Sequence, residues 1–184
     1  MQVRNSPERY GLVAQMIHWF TVVFVLGAWA SGTFGEEVLE GTIGKLWLSL
    51  HMYAGLAVIV LLVLRLAWQV GNPTPSPEPT PLGVWGDRAA KLTHFVIYGL
   101  LVAVPMTGIM AQFARGQALP VFGLFEIASP WTADREFIRS VTDVHETAAN
   151  LLLIIALLHA AAALFHHWVL RDRTLVRMLP GRTG

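Results

Sequence analysis

Apolar residues gather along the chain in four long blocks, roughly Leu12 to Phe34, Leu48 to Val70, Leu92 to Phe113 and Val144 to Leu170, with polar segments between them. Crossing a bilayer hydrocarbon core takes about 20 apolar residues in helix, and every block reaches that length. The pattern predicts an all-α integral membrane four-helix bundle with helices at about 12–34, 48–70, 92–113 and 144–170, forming a single transmembrane domain over residues 1–184. The first block ends among the small residues Ala28, Ala30 and Ser31, as a cleavable signal peptide would. Its apolar run is longer than the about 7–15 residues of such a peptide and its basic lead is weak, so it is expected to stay in the mature protein.

The connections differ in kind. From Asn72 to Pro81 proline alternates with other residues, which predicts an extended, semi-rigid strap between two hairpins. Residues from about Arg115 to Thr142 predict a long loop containing Pro120, Gly123, Pro130 and Trp131, with an amphipathic piece from Asp134. No internal repeat is evident that would divide the chain into two domains.

Composition agrees: 54% of residues are hydrophobic and 14% charged, too apolar for a soluble chain of 184 residues. Charge adds an orientation. With four spans, both termini and the strap share one side, which carries Arg4, Arg9, Arg88, Lys91, Arg171, Arg173, Arg177 and Arg182; the other carries Lys45, Arg115, Arg135 and Arg139. The excess of positive residues places both termini in the cytoplasm and the opposite loops in the periplasm. The net charge of +1 and the lack of a basic patch exclude nucleic acid as a partner. The absence of cysteine excludes disulfides, iron–sulfur clusters, thiolate-ligated haem and covalently attached c-type haem.

The chemistry lies in seven histidines, His18, His51, His94, His145, His159, His166 and His167, all within or beside the apolar blocks. Ionisable residues inside a membrane are costly and mark functional interiors. His145 and His159 are fourteen residues apart, nearly four whole helical turns, so both leave one helix face about 21 Å apart along the axis. Taken alone, that spacing suits two stacked planar cofactors or two interior histidines bonded to neighbouring helices. The threading separates these readings: His18 and His159 fall at one depth and His51 and His145 at the other. Each couple supplies two imidazoles, the axial ligand set of a six-coordinate haem iron. Zinc and copper sites need three or four converging ligands, which two couples separated by most of a membrane do not provide. His166 and His167 point about 100° apart on a helix and do not readily join one metal site. Small residues near the histidines (Gly55, Ala148, Ala149, Ala156 and Ala160 to Ala163) admit a flat ring or a close helix equally well.

Five segments carry a family resemblance: Gln15-Met16-Ile17-His18-Trp19, Leu50-His51-Met52-Tyr53-Ala54-Gly55, Thr93-His94-Phe95-Val96-Ile97-Tyr98, Val144-His145-Glu146-Thr147-Ala148-Ala149-Asn150, and Leu158-His159 through His166-His167. Together they resemble bacterial cytochrome b561, a likeness that runs on to Asp172-Arg173-Thr174-Leu175-Val176-Arg177-Met178-Leu179-Pro180. The resemblance implies a cytochrome of the bacterial inner membrane with two haem b groups, ligated by His18, His51, His145 and His159. It further implies a superoxide oxidase activity, in which periplasmic superoxide gives up an electron, dioxygen is released and ubiquinone is reduced, with His94 and His166 beside the quinone. The same family includes cytochrome subunits that serve a hydrogenase or dehydrogenase, so a redox partner protein is the alternative electron donor.

The residues accommodate these roles. A protonatable imidazole at His94 or His166 can bond a quinone carbonyl and pass it a proton, or can simply be an interfacial histidine with one wet end. Lys45, Arg115, Arg135 and Arg139 can steer a small anion, while Arg135 and Arg139 also suit a solvated helix face with Asp134 and Glu136. Arg65, late in the second helix, is expected to snorkel to the surface or to pair with a haem propionate.

Overall fold

The computed structural model describes residues 2–38 and 41–181; Arg182, one of the charges used for orientation, lies outside them. Four long helices dominate: α1 (Leu12–Val38), α2 (Gly41–Gly71), α3 (Gly83–Ala114) and α4 (Arg135–Phe165), the last continued by a π-helical turn (His166–Leu170). Each contains an apolar stretch long enough to cross a membrane. The helices outrun the apolar blocks. At 1.5 Å per residue the 31 residues of α2 extend about 46 Å, well beyond a hydrocarbon core of about 30 Å, so the ends project past it.

The expected helix starts at 48, 92 and 144 are therefore too late. Polar residues such as Lys45, Lys91 and Arg139 do not stop a helix; they mark where it leaves the apolar layer. The early start of α4 has a local cause. Asp134 is extended and its carboxylate accepts a hydrogen bond from the Phe137 N–H at 2.8 Å, with Glu136 in the first turn, so the N-terminus is capped. The amphipathic piece from Asp134 is thus the first turns of α4, and the long loop expected to reach Thr142 ends at Asp134.

That connection is also ordered. It folds into an antiparallel hairpin, β1 (Leu119–Val121) and β2 (Phe125–Ile127), with Leu119 opposite Ile127. Its turn places Phe122 and Gly123 at φ of 50° and 72°, the paired left-handed conformation that suits a two-stranded twist. Leu119 is buried, the Phe122 ring lies 5.9 Å from that of Tyr53 on α2, and Gln112 and Ser129 tie the loop to the end of α3. The hairpin thereby covers the bundle end opposite the termini.

The helices pack as two hairpins, α1 on α2 and α3 on α4, which meet mainly through α2 and α3. A thin apolar core joins them midway, with Val58 and Leu62 of α2, Leu101 of α3 and Leu152 of α4 buried together. Many large side chains elsewhere, such as Val23, Val63 and Leu157, point outward, as lipid-facing positions do in a membrane protein. Where α1 faces α4, a hydrogen bond from Trp29 Nε1 to Asn150 Oδ1 at 2.9 Å links them.

At the terminal end one arginine gathers three segments. Arg177, 8% exposed, donates to Glu8 O at 2.6 Å, Ser76 O at 2.9 Å and Pro7 O at 3.2 Å, and its Nη1 lies 3.1 Å from Glu78 Oε2. Asn5 adds bonds to the carbonyls of Asn72 and Pro73, and Trp19 donates to Met178 O. The extended strap from residue 73 to 80 is thus held against both chain ends. Its prolines have no N–H to satisfy, and one of its carbonyls, Ser76 O, is among the acceptors the arginine uses. Arg177→Met, which keeps the stem and removes the guanidinium, is expected to destabilise the fold by about 2–4 kcal/mol, because it strands these acceptors and the Glu78 carboxylate. Thermal unfolding in detergent will read the loss, and limited proteolysis will show faster cutting within the strap.

Candidate functional site

His51 and His145 each lie ten residues inside their helices, α2 and α4, and face one another across the two hairpins. Their ring centres are 6.0 Å apart, with planes at 87°. Each ring is anchored on its own hairpin partner: His51 Nδ1 is 2.8 Å from Ala28 O on α1, and His145 Nδ1 is 2.9 Å from Val104 O on α3. A carbonyl only accepts, so in both rings the proton sits on Nδ1 and Nε2 keeps its lone pair. An iron between two imidazole nitrogens, each about 2 Å away, puts the ring centres about 6 Å apart, so this couple fits the axial ligand set of a haem.

Ser31 Oγ shares its one hydrogen between the Gly27 carbonyl at 2.7 Å and the Ala28 carbonyl at 3.0 Å, and Thr107 Oγ1 shares its own between the Ala103 and Val104 carbonyls, both at 2.9 Å. Thr107 Oγ1 also lies 3.2 Å from His145 Nδ1. Gly32 and Gly108 make room for the rings: a Cβ at Gly32 would stand 2.9 Å from His51 Cε1, and one at Gly108 3.1 Å from His145 Cε1. Pro105 interrupts α3 beside this site, leaving the Leu101 carbonyl without its usual helical donor, an irregularity that membrane helices tolerate when neighbours compensate. None of Ala28, Ser31, Gly32, Val104, Thr107 or Gly108 was singled out by its sequence as serving the histidines. The available signal was a Ser-Gly and a Thr-Gly pair, each inside an otherwise apolar span. Gly55, noted for its place beside His51, has nothing within 4 Å of a Cβ position.

Fourteen residues on from the facing couple, about 21 Å along each helix, come Arg65 on α2 and His159 on α4. Here each histidine's near neighbour lies within its own hairpin, while Arg65 also bonds across to Tyr98 on α3. Arg65 Nη1 approaches His18 Nδ1 at 3.3 Å and Arg65 Nε donates to Tyr98 Oη at 2.8 Å, while the ring centres of His94 and His159 lie 5.2 Å apart. His18 is within electrostatic reach of both His159 and His94, so three imidazoles and one guanidinium share this level. With Arg65 donating to Nδ1, the proton of a neutral His18 sits on Nε2; binding a metal through Nε2 requires Arg65 to turn to another acceptor. Among the described residues no cluster of three or more His, Cys, Asp or Glu is arranged around a single ion.

His94 lies eleven residues inside α3, not at its start as expected, and it is exposed on the bundle surface. His166 opens the π turn at the end of α4, where its Nδ1 lies 2.5 Å from Asp172 Oδ2. The return of the chain brings the two together: Arg171 adopts a left-handed φ of 56°, Asp172 N–H donates to His166 O at 3.1 Å, and Asp172 Oδ1 accepts from Thr174 N–H at 2.9 Å. Burial alone would raise the Asp172 carboxyl, but hydrogen bonds from His166 and Thr174 outweigh it and hold the group below its ordinary 3.8. His167 turns elsewhere, beside Trp168.

The four cations lie at the hairpin end. Lys45 is exposed on α2 six residues before His51, and Arg135 and Arg139 are exposed on the first turns of α4. Arg115 follows α3 and reaches Thr142 Oγ1 at 3.5 Å.

Four membrane-length helices that bring paired imidazoles together in an apolar interior define a multi-pass membrane haem protein of electron transfer. A family model described as prokaryotic cytochrome b561 matches residues 9–181, and the chain belongs to that family, whose cofactor is haem b. It is 33% identical over 183 residues to a probable superoxide oxidase, CybB, of Yersinia pestis, covering 96% of this chain and 99% of that protein. Two proteins of Escherichia coli K12 are also similar. Cytochrome b561 homolog 2 is 30% identical, covering 97% of this chain and 95% of that protein, and cytochrome b561 homolog 1 is 32% identical, covering 95% and 99%.

The depressed acidity of Asp172 sets a pH signature. Because its folded value lies below the unfolded one, the stabilisation is complete above the ordinary carboxylate value of 3.8 and is lost as the pH falls through the lower folded value. Asp172→Asn is expected to lower the thermal midpoint modestly and equally between pH 7 and 5, with the gap to the unaltered protein closing only under stronger acid. Melting curves in detergent across that range will check it.

Proposed function

We propose that this protein is a superoxide oxidase of the bacterial inner membrane, a single di-haem domain over residues 1–184 with both termini in the cytoplasm. Two superoxide ions each lose one electron to become dioxygen on the periplasmic side, and one ubiquinone gains two electrons and two protons to become ubiquinol on the cytoplasmic side. The observation that carries this reading is the separation of two imidazole clusters by about 21 Å of apolar bundle, one cluster beside the exposed cations and the other beside a protonatable histidine–aspartate pair. The near full-length likeness to a probable superoxide oxidase supports the choice of substrate.

In this reading His51 and His145 hold one haem and His18 and His159 the other, with Arg65 turned from His18 to pair with a propionate. Haem b, when bound, supplies one-electron chemistry at iron, and two such groups match a two-electron acceptor to a one-electron donor. The chain's own contribution is to position and to manage charge. Lys45, Arg115, Arg135 and Arg139 raise the local concentration of a small anion and so its capture rate, an effect that salt weakens. With Nδ1 of His166 engaged by Asp172, its Nε2 is the ring nitrogen left to meet a quinone carbonyl, and the carboxylate supports the charge that the imidazole takes up with a proton. His94, on the neighbouring α3, serves the same acceptor.

The test uses purified protein in detergent with an enzymatic superoxide source and a ubiquinone analogue, following the haem bands. Rapid haem reduction by superoxide and quinol formation are expected. His166→Phe and His94→Phe should each slow quinol formation by about 10²-fold while both haems are retained. Haems that dithionite reduces but superoxide does not would overturn the reading in favour of a cytochrome subunit fed by a hydrogenase or dehydrogenase. Haem loss from the His94 or His166 variants would overturn the ligand assignment.

A further inference from the structure

Two stretches of the bundle match position by position. Counting from His18 on α1, Ala28 follows at ten residues, Ser31 at thirteen and Gly32 at fourteen; counting from His94 on α3, Val104, Thr107 and Gly108 fall at the same intervals. The partner helices match too: His51 precedes Arg65 by fourteen residues on α2, and His145 precedes His159 by fourteen on α4. The α1–α2 and α3–α4 hairpins are therefore two copies of one device, hidden in the sequence because so few positions carry it.

In both copies the parts do the same thing. A backbone carbonyl accepts from imidazole Nδ1, at 2.8 Å for Ala28 and 2.9 Å for Val104. A hydroxyl three residues on lies within hydrogen-bond reach of that same carbonyl and shares its one hydrogen between it and the carbonyl one residue earlier, and the adjacent glycine keeps the ring face clear. A carbonyl that takes the Nδ1 proton's hydrogen bond pushes electron density toward Nε2 and makes the imidazole a stronger donor to a metal. A hydroxyl sharing the same oxygen draws density away and moderates that push. A stronger donor stabilises ferric iron, so loss of the hydroxyl lowers the reduction potential of an iron bound at Nε2.

We infer that Ser31–Gly32 and Thr107–Gly108 are positioning residues that fix the proton and orientation of His51 and His145, and thereby set the reduction potential of the haem these two histidines hold while leaving the other haem alone. At the opposite level, among the described residues, no hydroxyl-and-carbonyl pair serves the rings: His18 meets the Arg65 guanidinium and His159 meets His94. The two haems are thus tuned by different chemistry. This inference rests on the reading of His51 and His145 as axial ligands.

Redox titration of the haem absorption in the full-length protein tests it. Two one-electron waves are expected. Thr107→Val and Ser31→Ala should each move one wave to lower potential, by a few-fold to about tenfold in the reduction equilibrium, the latter being about 59 mV for one electron. The other wave should stay in place, and Thr107→Ser, which restores a hydroxyl, should return the first. Gly32→Ala and Gly108→Ala should displace the rings and shift the low-spin electron paramagnetic resonance signal of the same haem; should either fail to assemble, the hydroxyl variants, which add no bulk beyond a methyl, carry the test. Equal movement of both waves, or of neither, overturns the inference. His51→Ala separates the two ideas. If that variant keeps both haems, the ligand reading has failed; if it loses one haem while Thr107→Val leaves both potentials unmoved, only the tuning role has failed.

Discussion

An imidazole buried among apolar helices must satisfy two nitrogens without water, and the way each ring does so organises this bundle. At His51 and His145 the solution is a backbone carbonyl on the adjacent helix. That bond uses Nδ1, fixes the proton there and leaves Nε2 with its lone pair. It also dictates the helix surfaces beside it. A carbonyl already committed to the helical ladder can take a second donor only if that donor comes close, and Gly32 and Gly108 leave room for the imidazole that does so.

The core is correspondingly thin. Val58, Leu62, Leu101 and Leu152 form one buried layer midway along the bundle, and the space above and below is given over to histidines. A protein stabilised mainly by side-chain packing would close around such polar groups or exclude them. Here two hairpins touch along α2 and α3 and leave their histidine-bearing faces opposed, an arrangement that suits flat cofactors with one helix pair on each side. The ends are then secured by other means: a capped helix and a β-hairpin at one, and at the other the Arg177 guanidinium, which binds the two chain ends and the proline strap into a single cover.

Functional asymmetry is built onto this near-symmetric frame. Where one hairpin has His159, the other has Arg65, so at this position of the repeat the level near the termini carries a fixed positive charge among its imidazoles. The return of the chain after α4 then sets Asp172 against His166 and gives that end a paired acid and base. In the reading favoured here, electrons enter where the cations are exposed and protons join them where the histidine–aspartate pair stands.

Much of this was legible in the sequence. Apolar block length alone determined four spans, because hydrocarbon thickness leaves a helix few other lengths to take, and histidine spacing on a 3.6-residue helix determined that the imidazoles fall at two depths. The expectations were poorest at boundaries: Lys45, Asp134 and Arg139 read as loop because polarity marks where a helix leaves the membrane and not where it ends. What only the tertiary structure decided were contacts between groups whose partners carry no sequence signature. A backbone carbonyl at Ala28 or Val104 looks like any other until a neighbouring helix brings an imidazole to it, and no pattern in Arg65, His94 or His18 reveals which will meet which. Hydrophobic periodicity acts along one helix and is written in the chain; hydrogen-bond partnership between helices depends on their rotation and approach, which packing alone sets.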